Sequence, residues 1–527
     1  MATETGRTTR WAAHELDFMA EREREHPFWE VDVRVALTSP SGRESAADAF
    51  WDGGRTWRAR VRPDEVGTWR WRSVASDPRD AGLHGRSGAF TVEPYLGANP
   101  VWKHGPVRVA ADGHSFEHAD GTPFLWLGDT VWNGLVRSSD ADWEEYLCTR
   151  RAQGFSVVQF FSTHWRALAT DPAGEPSYTE EGRFRPNPAF YQRLDPKVAA
   201  VARHGMLASA IVVLALYDEE PGWAWPPEQL TRFARWLRAR WGAYHVAWTL
   251  GGDGGFQRER AERWKPIGRA AYGDLTDGLV TMHPYGLSWV GDEFRNEPWL
   301  TFHVIQSGHS ADEEKVRWLP DGPHASDWQT PPAKPIVNVE PNYEDHPSYP
   351  TDVRFTDAEV RRASWWSVLA VPTAGVTYGH FSLWAWATER EPVGQAIRRQ
   401  ADFTVEPWWT LLDTPGARSM TVLRRYLESG DWWRLRPAPW LLAEQPGAAD
   451  ARAHVAAART EAGDWTTVYT PRGGTLRLRA GIADGTSARW FDPRNGHWHP
   501  ATPTATADGG VAFAAPDGAD WVLDLRR

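Results

Sequence analysis

Val246-Ala247-Trp248-Thr249-Leu250-Gly251-Gly252-Asp253 is a mostly apolar run that ends in two glycines and a carboxylate. A parallel strand covered on both faces is apolar throughout, and glycines just past it let the backbone turn without crowding the next side chain. The run therefore predicts a short buried strand with Asp253 at its C-terminal mouth. Pro335-Ile336-Val337-Asn338-Val339-Glu340 has the same form and predicts a second strand that delivers Glu340.

Working outward from these two, comparable runs predict strands at Phe124 to Gly128, Val157 to Phe161, Leu207 to Leu214, Leu279 to His283, Phe302 to Gln306 and Gly375 to Tyr378. Helical patterns alternate with them. Ser139 caps one that packs Trp143, Tyr146 and Leu147 and stops at Gly154; others run from Pro188 to His204, Pro227 to Tyr244 and Asp357 to Ala370. Eight strands alternating with helices close into a (β/α)8 TIM barrel, because right-handed crossovers stop adding strands when the sheet meets itself. A doubly wound open sheet is the alternative, but its dinucleotide fingerprint is missing.

The flanks read differently. From about residue 11 to 95, period-two alternation recurs between turn signals: Trp29 to Thr38, Trp57 to Val61, Thr68 to Arg72 and Gly88 to Val92. That pattern predicts an Ig-like β-sandwich over residues 1–97. A short hairpin around Val107 to Val109 and His114 to Glu117 is placed to plug the bottom of a barrel that spans 98–435. Alternation returns at Trp465 to Tyr469, Leu476 to Leu478, Arg489 to Phe491, Val511 to Phe513 and Trp521 to Leu525, so a second β-sandwich occupies 436–527.

Composition narrows the function. A net charge of −11 argues against nucleic acid and against an anionic membrane surface, both of which call for a basic face. No apolar run approaches the ~20 residues of a transmembrane helix, and Met1 to Phe18 shows no signal-peptide core, so a cytoplasmic protein is expected. The single cysteine, Cys148, allows no internal disulfide and reads as a small buried hydrophobe on a helix. The 34 tryptophans mainly serve core and interdomain packing, and their excess favours a carbohydrate ligand, since indole faces pack on sugar C–H surfaces. Assembly into a homo-oligomer stays open.

In a barrel the residues just past the strand ends converge at one mouth. Here they are Asp129 and Trp132, His164 and Trp165, Asp253, His283 with Tyr285, Gln306 and His309, Glu340 with Asn342 and Tyr343, and Tyr378 with His380. Such a ring holds acids, hydrogen-bonding groups and aromatic walls, as binding and cleaving a polyhydroxylated ring requires. Asp253 is assigned as acid/base and Glu340 as nucleophile, with Asp129, Trp132, His164, Trp165, His283, Gln306, His309, Tyr343, Tyr378 and His380 as sugar contacts. Strands four and seven favour the ~5–5.5 Å carboxyl separation of a retaining glycosidase. No His-Glu-x-x-His motif occurs and the mouth histidines stand on separate strands, so no metal and no cofactor is expected. A Gly-x-Ser-x-Gly elbow is missing too. The competing reading is a carbohydrate-binding or scaffolding protein on an inactive barrel.

The motifs FLWLGDTVW (124–132), AQGFSVVQFF (152–161), WTLGGDG (248–254), MHPYG (282–286), IQSGH (305–309), VEPNYEDHP (339–347) and TYGHFSLW (377–384), in that order, resemble the apiosidase-like glycoside hydrolases. FWDGGRTWRARVRPDEVGTWRW (50–71) is similar to the β-sandwich often fused before such barrels. YTPRGGTLRL and ARWFDPRNG are similar to a C-terminal module labelled collagen-binding, read here as a sandwich that braces the barrel. The resemblance implies an exo-acting glycosidase releasing a terminal sugar, such as the furanoses apiose or arabinose. Its catalytic aspartate falls on Asp253 and its glutamate on Glu340. The loop from Trp165 to Tyr191 and the insert from His309 to Pro332 depart from the family pattern and are expected to shape the pocket wall.

Overall fold

The structure, a computed structural model, describes residues 4–393 and 403–527. Its centre is an eight-stranded parallel sheet: β1 (Trp126–Thr130), β2 (Val157–Phe161), β3 (Leu207–Leu214), β4 (Val246–Gly252), β5 (Leu279–Thr281), β6 (His303–Gln306), β7 (Ile336–Glu340) and β8 (Gly375–Gly379). Neighbours pair in chain order, and β1 pairs with β8. Between β5 and β6 the ladder gives way to single bonds, Thr301 N–H to Val280 O at 2.9 Å and Thr281 Oγ1 to Phe302 O at 2.8 Å. The sheet is thereby closed into a (β/α)8 barrel.

Capping residues set the helix starts. Ser139 and Asp142 form a reciprocal capping box on Asp140–Ala152, and Thr356 with Glu359 does the same for Asp357–Leu369, each pairing two otherwise orphaned amides. Trp143, Tyr146, Leu147 and Arg150 take the inward face of the first of these helices. Cys148 falls on the opposite face and is exposed, contrary to the buried position expected for it. The N-terminal end of the barrel is sealed by the hairpin Val107–Val109, Phe116–His118 and Pro123–Phe124, whose Phe116 ring stands 5.5 Å from Phe302 and 5.8 Å from Trp126. Phe124 thus belongs to the plug, and β1 starts two residues later than the sequence suggested.

The N-terminal sandwich packs a five-stranded sheet on a three-stranded one. In Gly67–Ala75, Trp69, Trp71, Ser73 and Ala75 are buried while their neighbours are not, the period-two pattern of a half-buried strand. Trp29 is a correction: it lies in the helical turn Pro27–Glu30, where Pro27 presets φ, and the strand begins only at Val33. Its indole donates to Phe184 O of the barrel at 2.6 Å. Buried ion pairs tie the sandwich to the barrel, Arg60 to Asp195 at 2.7 Å and Asp52 to Arg240 at 2.8 Å, and Asp195 and Arg240 pair with each other at 2.7 Å on the barrel side.

The C-terminal sandwich joins a six-stranded and a three-stranded sheet and is anchored by Arg361, which grips Asp520 through two bonds of 2.7 and 3.0 Å. Beside this pair Trp365 stacks on Tyr469, ring centroids 5.5 Å apart. No described helix is long and apolar enough to cross a membrane.

Candidate active site

Asp253 and Glu340 both line a cavity of about 570 Å³ at the C-terminal end of the barrel, a size suited to a small ligand. Neither carboxylate is delivered simply. Gly252 is needed for space rather than for turning: a Cβ there would stand 2.6 Å from Ile211 Cγ2, while the left-handed conformation falls on Asp253 itself, at φ 50°. Such a conformation is rare for a residue with a side chain and is a form of strain found at functional sites. On β7, Val337 and Val339 pack in the barrel interior and Asn338 bonds outward to Ser367, so strict alternation would turn Glu340 away from the axis. A register shift opposite Ile305 and Gln306 inserts one residue before Glu340 and re-aims its carboxylate inward.

The electrostatics of the two acids diverge. Burial and the nearby charge of Glu340 push the Asp253 carboxyl up to about 7. Burial also acts to raise Glu340, but the pull of His283 and His309 exceeds it and brings this carboxyl down to about 2. His309 Nε2 is 3.0 Å from Oε1, and His283 Nε2 is 3.3 Å from Oε2. Burial draws His283 down, yet Glu340 and Asp253 outweigh it and hold the imidazole above its ordinary value. His309 is fixed in turn by stacking on His346 at 3.9 Å, whose Nδ1 donates to Pro347 O at 2.8 Å. One acid is therefore held protonated near neutral pH and its neighbour ionised, the division of labour that a glycosidase acid and nucleophile require.

Of the expected sugar contacts, Trp132, Trp165, His283, Gln306, His309 and Tyr343 line the cavity, as does Tyr285. Trp132, Phe161, Trp165 and Trp384 form a continuous aromatic wall with centroid spacings of 5.0, 4.6 and 6.1 Å. Four expected contacts lie elsewhere. Asp129 and Tyr378 are register partners on β1 and β8, and both point out of the barrel. Asp129 is wholly buried against Arg150 at 2.6 Å and the Tyr146 hydroxyl at 2.8 Å, while the Tyr378 hydroxyl donates to Glu344 at 2.6 Å. His164 turns back on Ser177 Oγ at 2.6 Å and packs on Tyr178, and burial lowers it to about 4. His380 is buried, accepts from the Ser382 amide at 3.1 Å and is lowered by burial to about 3. Asn342 holds the loop, donating to Gly308 O at 2.7 Å, and is off the wall too.

The loop from Trp165 and the insert from His309 do wall the cavity, through Arg166 and Lys315, and further lining residues were not singled out from the sequence. Arg166 and Tyr217 come from the loops after β2 and β3, Lys315 from the insert after β6, and His346 and Tyr349 from the loop after β7. Arg166 had a signal, since it follows Trp165 directly; the others depend on how long loops fold back over the mouth.

Outside the cavity, the Asp129–Arg150 pair makes a separate prediction about stability. Arg150→Met is expected to destabilise the chain by about 3–5 kcal/mol, because it strands a buried carboxylate without a counter-charge. Denaturant unfolding measures this directly, and a loss below about 1 kcal/mol would be the scale of an exposed pair instead.

A closed parallel barrel with a raised and a lowered carboxyl on β4 and β7, facing one cavity with an aromatic wall, defines a glycoside hydrolase. The model of the apiosidase-like catalytic domain matches residues 110–434, and the chain belongs to that family. Residues 7–76 match a domain of unknown function (DUF5060), and residues 437–526 match the "Putative collagen-binding domain of a collagenase". Among curated proteins, none matches the chain. Solved structures share the fold. A glycoside hydrolase family 5 protein from Bacteroides vulgatus aligns at 23% identity with TM-score 0.68, over 81% of this chain and 94% of its own. A second protein of that organism, titled a "putative glycoside hydrolase", aligns at 19% identity with TM-score 0.71 over 99% of this chain and 100% of its own.

Proposed function

We propose that the protein removes a terminal sugar from a glycoside or oligosaccharide with retention of anomeric configuration, Glu340 acting as nucleophile and Asp253 as acid/base. The observation that supports this most directly is the opposite displacement of the two carboxyls on one cavity. Glu340, ionised and steadied by His283 and His309, attacks the anomeric carbon while Asp253 passes its proton to the departing oxygen. The sugar is then an ester of Glu340. In the second half Asp253, now a carboxylate, takes a proton from water as that water attacks the same carbon and frees Glu340. An exo mode accords with a cavity walled by inserted loops, and a compact sugar such as the furanoses apiose or arabinose suits its volume.

The test is a panel of nitrophenyl glycosides and plant or bacterial oligosaccharides, with NMR of the first sugar released. The β-anomer appearing first from a β-glycoside, ahead of mutarotation, is the expected result. First appearance of the opposite anomer would mean direct attack by water and a wider carboxyl separation, of ~6.5–9.5 Å. Cleavage of internal bonds only would overturn the exo mode.

A further inference from the structure

Residues 445–455 of the C-terminal sandwich pack against the insert after β6, which borders the active site. Gln445 ties the two ends of that segment together, accepting from the amides of Gly447 at 3.1 Å and Val455 at 2.8 Å and donating to Val455 O at 2.9 Å. The segment lies along the helix Glu313–Asp321 of the insert after β6, bonding to it at two places and to Ala311 just before it at a third. Arg452 Nη2 donates to Ala311 O, Arg317 Nη1 to Gly447 O at 2.7 Å, and the Ala451 amide to Glu313 Oε1 at 3.3 Å.

The other side of the same insert faces substrate space. Ser310 and Lys315 line the cavity, and Lys315 is exposed, so it stands at the outer rim while Glu340 lies buried below. Ser310 is pinned from the cavity side by its bond to Tyr349 O at 2.9 Å. Ala311 is therefore the junction: its neighbour Ser310 belongs to the cavity wall, and its carbonyl is held by the sandwich.

We infer that Arg452 is a positioning residue for the glycosidase reaction, through which the C-terminal sandwich sets the Ser310–Lys315 wall and with it the recognition of the outer units of an oligosaccharide. The domain is on this view part of the substrate site. A separate binding module would have no need of bonds converging on a loop that lines the cavity. The inference rests on the glycosidase reading for its kinetic consequence and on geometry alone for its structural one.

Two variants of the full chain, Arg452→Met and Arg452→Lys, test it. In Arg452→Met, amide hydrogen exchange over residues 310–316 should accelerate by roughly tenfold, the scale of one lost charge-assisted hydrogen bond, while Ala456–Thr460 and Trp465–Thr470 keep their protection. KM for an oligosaccharide cleaved by the parent should rise by roughly tenfold, whereas kcat on the matching nitrophenyl glycoside stays within about twofold, and Arg452→Lys should recover most of the KM. Unchanged exchange over 310–316 would overturn the inference. So would a parallel loss on both substrates, which is what general destabilisation gives. If the parent cleaves no glycoside, the functional reading fails and the exchange experiment still decides this one.

Discussion

Replacing Glu340 with glutamine is expected to lower kcat by at least about a thousandfold with the fold intact, because on the proposed mechanism the variant keeps the shape and loses the nucleophile. The loss should appear in kcat and kcat/KM alike, since the carboxylate acts in the transition state rather than in holding substrate. His283 and His309 surround this group, and without its charge the support for a raised His283 is lost; the imidazole should titrate lower in Glu340→Gln, which NMR of the ring protons can follow. A variant that retains more than about a tenth of parental kcat would remove Glu340 from the nucleophile role, since no group acting chiefly in the transition state is lost that cheaply. In the truncated variant Glu340→Ala, which leaves room beside the anomeric carbon, small nucleophiles such as azide should restore some turnover on activated aryl glycosides. Equal melting temperatures for parent and Glu340→Gln would show that the loss is chemical.

Much of this arrangement is legible in the sequence. The strands Val157–Phe161, Leu207–Leu214 and Ile336–Glu340 fall where their apolar runs predicted them, because parallel strands buried on both faces leave continuous hydrophobic sequence. The same property hid the orientation of Asp129 and Tyr378. A strand apolar on both faces carries no alternation, so nothing in FLWLGD or VTYG says which side chains point inward. Both were expected at the mouth, and both pack outward instead, as partners in one register. Glu340 was placed correctly at its strand end for a reason that sequence does not display. Alternation from Val337 and Val339 points the wrong way, and only the register shift turns the carboxylate inward.

The glycines before Asp253 teach a similar lesson. They were read as a turn that leaves room, yet Gly252 is demanded by Ile211, and the unusual backbone is carried by the acid. Lys315, Tyr217 and Tyr349 reach the cavity from separate loops, so no local pattern could join them. Of the four histidines expected at the mouth, His283 and His309 line the cavity while His164 and His380 do not, and the relation of the first two to Glu340 arises from different strand ends and loops meeting in space.

Asp253→Asn should separate the acid's two duties by pH. On the proposed mechanism the parent's kcat/KM needs Asp253 protonated and Glu340 ionised, so activity should fall as pH rises through about 7 and hold as pH falls until Glu340 takes up its proton at far lower pH. The asparagine variant can neither donate nor accept a proton. On a substrate with a poor leaving group its rate should drop by about 10²–10⁴, the usual contribution of a positioned acid/base. The alkaline limb near 7 should vanish, and nitrophenyl glycosides, whose leaving group needs little protonation, should suffer less in the first half-reaction. The stability of the fold also declines with rising pH through this group, over a lower window. Asp253 is raised in the folded state, so between the unfolded carboxyl value of ~3.9 and about 7 the folded chain holds a proton that the unfolded chain has released, and stability through this group declines as pH rises across that window. The Asp253→Asn substitution removes that decline, so the variant should melt at a higher temperature than the parent above pH 7 while being far less active. A parent profile with no alkaline limb between pH 6 and 8, or a variant that keeps that limb, would assign the proton to another group.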